Sequence, residues 1–211
     1  MKSLFTALGV ASTIFLSSTF CFAQQGVVKT DSLDLIIPNA ITSSVSIFSI
    51  GNKGFGSCSG VVIKNTTTES IVLTAKHCIT PKKELFVENI KIYSVGISVS
   101  KDLAYLKLNK FIPFKTPARL SNYIPHFKDR IAGIGYPKDE LYIAKGKIFV
   151  ETLNYQMAKM KVVKGCSGGG VFNEDGELIG IILGYVPYLN ISVIVKLQDL
   201  HKFIAVNKLL K

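Results

Sequence analysis

Short apolar runs recur along most of the chain, separated by Gly, Asn, Pro and Lys. Val45–Ile50, Ser59–Ile63, Ile71–Thr74, Ile90–Val95 and Leu103–Leu108 form a first set. Ile131–Ile134, Leu141–Ile143, Lys147–Leu153, Val171–Phe172, Leu178–Leu183 and Ile191–Val195 form a second. Many are rich in Val, Ile, Tyr and Phe, which suit a pleated, half-buried surface. Strands at such regular intervals, with no helical pattern between them, predict an all-β barrel or sandwich. The stretch 111–125 holds three prolines and little strand signal, so it reads as the linker between the two sets. Near the end, Gln198–Leu210 changes period. Leu200, Phe203, Ile204 and Leu210 can share one helical face there, predicting a C-terminal amphipathic helix packed on the second set. Before the first set, Gln24–Asn39 reads as an extended polar lead.

The length of 211 residues suits one domain or two small barrels. Lys2, the apolar run Leu4–Leu16 and the closing Cys21-Phe22-Ala23 have the form of a secretory signal peptide over residues 1–23. Cleavage is expected after Ala23, leaving Gln24–Lys211. The run is too short, and too broken by Thr and Ser, to span a membrane, so no stable anchor is expected after cleavage. A secreted or periplasmic location permits disulfides. Cys21 leaves with the signal, and Cys58, Cys78 and Cys166 remain. A bridge between Cys58 and Cys78 would close a loop of 20 positions. No Cys or His pair has metal-ligand spacing, and neither a metal nor another cofactor is expected. The formal charge of +11 favours solubility and loose attraction to anionic surfaces. A sharper reading is attraction to an acidic substrate, a membrane surface or a cell-wall polymer. Nucleic acid is not an expected partner, because the lysines are dispersed and no binding motif accompanies them.

Three local segments carry candidate chemistry. They are Leu73-Thr74-Ala75-Lys76-His77-Cys78, Asp102-Leu103-Ala104-Tyr105-Leu106-Lys107-Leu108 and Gly165-Cys166-Ser167-Gly168-Gly169-Gly170. They place His77, Asp102 and Ser167 in the order His…Asp…Ser. A serine hydroxyl is a poor nucleophile until a base takes its proton, and His77 can do that near neutral pH. A buried carboxylate at Asp102 would hold the imidazole tautomer and stabilise the imidazolium. The glycines around Ser167 let backbone N–H groups converge on one point. His126 and His201 have no such setting and read as surface or structural residues. Asn65-Thr66-Thr67 and Asn190-Ile191-Ser192 match the glycosylation pattern, and chance accounts for so short a match.

Over about residues 41–195 the pattern resembles the trypsin-like serine peptidases of the chymotrypsin fold. It is most similar to their short secreted bacterial branch, which includes glutamyl endopeptidases and periplasmic heat-shock proteases. Besides the three segments, Gly56-Ser57-Cys58-Ser59-Gly60, Gly133-Ile134-Gly135-Tyr136-Pro137 and the run from Val171 to Gly180 carry the resemblance. It implies two six-stranded antiparallel β-barrels with a C-terminal helix: 41–112 as the first barrel, 113–125 as linker, and 126–211 as second barrel plus helix. It also implies a Cys58–Cys78 bridge with Cys166 free, and an oxyanion hole made by the N–H groups of Gly165 and Ser167. The implied function is that of an exported serine endopeptidase, expected as a monomer, acting on protein or peptide substrates through a His77–Asp102–Ser167 triad and an acyl-enzyme. The alternative is a catalytically silent relative serving as a binding or inhibitory module; a third, minor reading uses Cys166 as nucleophile.

Departures from the family pattern bear on activation and specificity. Cys166 stands where animal digestive relatives carry an aspartate that receives a new N-terminal ammonium, so trypsin-style activation is not expected. Gly170 replaces a usual proline and is expected to loosen its loop. Ile182 occupies the place where glutamyl endopeptidases carry a histidine, which removes the main support for acidic specificity. Lys161 falls about where relatives set the floor of the specificity pocket; it would favour an acidic side chain if it lies there, and is a solvated lysine otherwise.

Overall fold

Val61, Val62 and Ile63 are consecutive and all buried, as are Ile71, Val72 and Leu73. A strand buried on both faces needs packing partners on both sides, and this sets the architecture. The computed structural model describes residues 31–51, 54–80 and 83–210. The expected signal peptide over 1–23 lies outside the described residues. In the first half, β1 (Ser44–Gly51), β2 (Gly54–Asn65), β3 (Ser70–Thr74), β4 (Glu84–Val87), β5 (Ile90–Ile92), β6 (Ser94–Ile97) and β7 (Ala104–Leu108) form one antiparallel sheet. Its strand order is β5-β4-β1-β2-β3-β7-β6. The two edges, β5 and β6, are separated in the chain by Tyr93 alone, so the sheet curls until it nearly closes. Ile90–Val95, expected as one strand, is thus broken at Tyr93, and seven strands stand where six were expected.

In the second half, β8 (Arg130–Gly135), β9 (Tyr142–Glu151), β10 (Gln156–Lys159), β11 (Gly170–Phe172), β12 (Leu178–Val186) and β13 (Ile191–Val195) close into a barrel ordered β10-β13-β12-β11-β8-β9. The separate runs 141–143 and 147–153 are one strand, because Gly146 lets β9 pass against Lys159 and Met160 without a break. Gly170 is not a loosened loop residue. It opens β11, and a side chain there would strike the Phe172 ring at 2.7 Å.

Val62, Val72, Leu85 and Leu106 fill the first sheet's interior, and Ile131, Ile148, Val171 and Ile194 fill the second's. A third cluster joins the two halves. There the outward residues Val61, Ile63, Ile71 and Leu73 meet Ile134, Phe172, Leu178 and Ile181. Helix α2 (Leu197–Val206) caps this seam with Leu200, Phe203 and Ile204, and Phe203 lies 6.0 Å ring to ring from Tyr105 of β7. The expected helix ran on to Leu210; here it stops at Val206, and Leu209 rather than Leu210 is the buried residue.

Where the expected extended lead falls within the described residues, it is helical from Ser32 on. Helix α1 (Ser32–Ser43) is capped by Asp31, whose carboxylate accepts from Leu33 N at 3.1 Å, and it buries Leu33 and Ala40. Asp31 and Asp34 pair with Arg130 and Lys145 of the closed barrel, so α1 is fastened to β8 and β9. The N–H of Leu33 first, and then those cations, hold the Asp31 carboxyl below its ordinary range.

Candidate active site

β3 ends at Thr74, and a single helical turn over Lys76–Cys78 follows it. The turn is held by Cys78, which is bridged to Cys58 of β2. His77 is thereby projected from the sheet's end with its ring half exposed. Its Nδ1 lies 2.7 Å from Asp102 Oδ2, and its backbone N–H donates to Asp102 Oδ1 at 2.9 Å. One carboxylate thus holds both the ring and the main chain of the same histidine. A carboxylate only accepts, so Nδ1 carries a proton, and in the neutral ring Nε2 is the nitrogen without one. The Asp102 side chain is 31% exposed, so the expected buried carboxylate is a half-exposed one. Asp102 stands in the turn between β6 and β7, where Ser98 N donates to Leu103 O at 2.9 Å.

Ser167 lies in the loop between β10 and β11. Gly165 and Gly168 have φ of +102° and +86°, conformations that disfavour a side chain. Gly168 N donates to Ile182 O at 2.7 Å, and Ser59 N donates to Ser167 O at 2.8 Å. The loop is therefore stitched to the closed barrel on one side and to β2 on the other. Between Gly165 N and Ser167 N, the Cys166 N–H is spent on Val163 O at 3.1 Å. Among the described residues, neither Gly165 N nor Ser167 N has a protein acceptor, which leaves both N–H groups open to another acceptor. The Ser167 hydroxyl donates to Leu183 O at 3.0 Å, and no hydrogen bond joins it to His77 among the described residues. The structure thus unites His77 with Asp102 and brings the Ser167 loop against the Cys58–Cys78 segment, where Cys78 Sγ lies 3.5 Å from Ser167 O.

Some residues that shape this site carried no role in the sequence reading. Ser59 is fully buried; its hydroxyl donates to Gly165 O at 2.8 Å and accepts from Tyr136 N at 2.8 Å. Thr74, also fully buried, donates to Ser59 O at 2.8 Å. Together they lock the first sheet to the serine loop. The only advance signal for them was their place inside the motifs around Cys58 and His77. Leu183 sits at a register shift between β12 and β13, which frees its carbonyl for the Ser167 hydroxyl.

The remaining sequence candidates are dispersed. Cys166 is unpaired and wholly buried in the closed barrel's core, and burial pushes its thiol up, away from the reactive thiolate. Ile182 is also buried in that core. Lys161 is exposed, and its carbonyl accepts from Tyr142 Oη at 3.3 Å. His126 pairs with Tyr123 Oη and His201 with Ser121 O, both on the surface. Asn65 donates to Ile112 O and Lys115 O, so its amide is occupied. An open cleft of about 490 Å³ adjoins His77 and Asp102 and is lined by Ile79, Ile97 and Val99.

The bridge is expected to matter for stability as well as placement. Replacing Cys58 and Cys78 together with alanine should cost about 3 kcal/mol for a loop closed over 20 positions. Urea unfolding of the two proteins measures this, and an unchanged midpoint would count against it.

The family described as trypsin-like peptidase domain matches residues 58–181. The fold is similar to that of the serine endoprotease from Yersinia pestis, with a TM-score of 0.73 and 23% identity over 85% of this chain and 67% of that one. It is also similar to the Rv3671c protease from M. tuberculosis in its active form, with a TM-score of 0.69 and 16% identity over 81% of this chain and 82% of that one. Among curated proteins no significant sequence match is found.

Proposed function

The chain belongs to the trypsin-like peptidase domain family of serine-type endopeptidases, and from that premise we propose that it is an exported enzyme cleaving protein or peptide substrates with His77, Asp102 and Ser167. The observation that carries this reading is the two-point grip of Asp102 on His77, at 2.7 and 2.9 Å. Asp102 fixes the tautomer with Nε2 free. Rotation of the Ser167 side chain off Leu183 O would let its hydroxyl give its proton to Nε2 as the oxygen attacks the substrate carbonyl carbon. The negative charge that develops on the carbonyl oxygen is received by Gly165 N and Ser167 N. His77 then passes the proton to the departing amine, leaving an acyl-enzyme that water hydrolyses by the same route.

One observation favours the silent-module reading, namely the Ser167 hydroxyl resting on Leu183 O. A single hydroxyl hydrogen bond of this kind is worth about 1 kcal/mol, far less than a bound substrate supplies, so it does not block the active arrangement. Purified residues 24–211 should digest an unfolded protein substrate and lose that activity to a serine-directed inhibitor. No digestion by folded, bridged protein would favour the silent module.

Export is supported by the signal-like sequence over 1–23 and by the Cys58–Cys78 bridge. Among the described residues no helix is long and apolar enough to cross a membrane. Activation needs no second cut, because the neutral, buried Cys166 offers no carboxylate to a newly made ammonium, whose unpaired burial would cost several kcal/mol. Protein beginning at Gln24 and the same protein with a blocked N-terminal extension should turn over equally. Activity that appeared only after cleavage between Gln24 and Ile41 would end this part of the proposal.

A further inference from the structure

Lys101 stands immediately before Asp102, yet its ammonium is turned away from that carboxylate. Nζ lies 3.0 Å from Asp199 Oδ2 and 3.4 Å from Asn154 O. Asp199 belongs to the first turn of α2. Its Oδ2 is buried and makes no hydrogen bond among the described residues; the Lys101 ammonium meets it as an ion pair only. The start of α2 is itself fixed to the β9–β10 hairpin, because Lys196 Nζ reaches Glu151 at 2.6 Å and Thr152 O at 2.9 Å. Asp199 is therefore a fixed anchor on the second half of the molecule. Lys101 is the link to it from the first half.

The turn that carries Asp102 is restrained locally, and Lys101 adds an ion pair to α2. Asp102 lies outside the strands; besides its own contacts with His77, the turn is held by Lys101 N on Ser98 Oγ at 3.2 Å, by Ser98 N on Leu103 O, by Lys76 Nζ on Ser98 O at 3.2 Å and by the burial of Leu103 in the seam. A small swing of this turn would part the Asp102 carboxylate from both of its contacts on His77. A carboxylate oxygen taken out of water and left with one cation is a costly arrangement. Here it fastens the residue next to Asp102.

We propose that the Lys101–Asp199 ion pair is a positioning device for Asp102, tying the turn that holds the His77 partner to the C-terminal helix across the seam between the two halves. This rests on the reading of His77, Asp102 and Ser167 as catalytic. Among the described residues neither Lys101 nor Asp199 makes a hydrogen bond or ion pair with His77 or Ser167, so they act through Asp102. Docking of α2 and alignment of the triad are then one event.

The test uses Lys101→Met, Asp199→Asn and Lys101→Arg in the full mature protein, with unfolding midpoints recorded alongside. A displacement near 1 Å at a reacting group costs on the order of a hundredfold in rate. Lys101→Met should therefore lower kcat by roughly ten- to a hundredfold with KM little changed, and Lys101→Arg should restore most of it. Asp199→Asn, which keeps the shape and an accepting oxygen, should lose less than Lys101→Met and remains informative if that variant does not fold. Proton NMR supplies a readout independent of turnover. The low-field resonance of His77 Nδ1–H should broaden or move upfield in Lys101→Met and return in Lys101→Arg. A lowered unfolding midpoint with kcat and the resonance unchanged would make the pair merely structural and overturn the proposal. A raised KM with unchanged kcat would overturn it too, placing Lys101 in substrate binding. If the wild-type protein shows the resonance but cleaves nothing, the peptidase reading fails, while the clamp is still decided by the resonance in the variants.

Discussion

Replacing Ser167 with alanine should lower peptide hydrolysis by about 10⁴-fold or more, with KM little changed. The hydroxyl is the only group at this point of the loop that can bond to the substrate carbonyl, and its backbone N–H survives the substitution. Residual rate would come from binding and from the Gly165 and Ser167 amides. Because a base and the nucleophile it activates act as a unit, the proposed roles predict that His77→Ala costs nearly as much, and that the double variant loses little beyond either single one. Cys166→Ala should keep most of the activity, since the thiol lies in the barrel core and burial pushes it up, away from the thiolate form. Steady-state kinetics on an unfolded protein substrate decide the matter. An active Ser167→Ala beside a dead Cys166→Ala would reverse the assignment.

The next largest effect is expected at Gly168, where geometry leaves no room for even one carbon. Its φ is +86°, and a Cβ would lie 2.1 Å from Ser59 O, 2.2 Å from Thr74 Oγ1 and 3.1 Å from Ala75 N. Those atoms cannot simply step aside, because Thr74 Oγ1 and Ser59 O are hydrogen-bonded to each other at 2.8 Å inside the packed seam. Left-handed backbone strain and overpacking together put the cost of Gly168→Ala at roughly 2–5 kcal/mol. Activity should fall as well, because relief of the clash moves Ser167 relative to the histidine turn just beyond Thr74. Gly54 is the control. It too has a positive φ, +104°, but nothing lies within 4 Å of its missing Cβ, so Gly54→Ala should cost only about 1–2 kcal/mol. Unfolding midpoints and turnover for both variants test this. A Gly168→Ala protein as stable and active as the wild type would mean that the serine loop is not packed against the histidine segment in this way.

The contrast between these two glycines shows what could be read from the chain. Both fall in glycine-bearing stretches, and the residues alone do not tell which one another backbone presses against. His77, Asp102 and Ser167 could be picked out because each carries its signal in its immediate neighbours. Ser59 and Thr74 could not be assigned a role, because their partners are distant in the chain and a buried hydroxyl looks like any other small polar residue until the seam is formed. The same holds for strands. β4 was missed although Leu85 and Val87 alternate inward, since Glu84 and the lysine before it mask so short a run. β10 was missed because its inward residues are Gln156 and Ala158, neither a strong strand former; the Gln156 amide is satisfied by Pro125 O at 3.1 Å. Helix α1 contains Pro38 and several β-branched residues, which lower helix propensity. Its docking through Asp31, Leu33 and Ala40 overrides that, and only Asp31 as cap and Asp34 in the first turn could have signalled it.

If His77 activates Ser167 as a nucleophile in the folded, bridged protein, a serine-directed electrophile should find it. The most direct measurement is to expose that protein to a fluorophosphonate probe and locate the adduct by peptide mass mapping. One adduct per chain is expected, on Ser167, formed at a rate that collapses in His77→Ala although the hydroxyl is still present. Labelling of another residue, or no labelling of bridged protein whose Cys166 remains free, would contradict it.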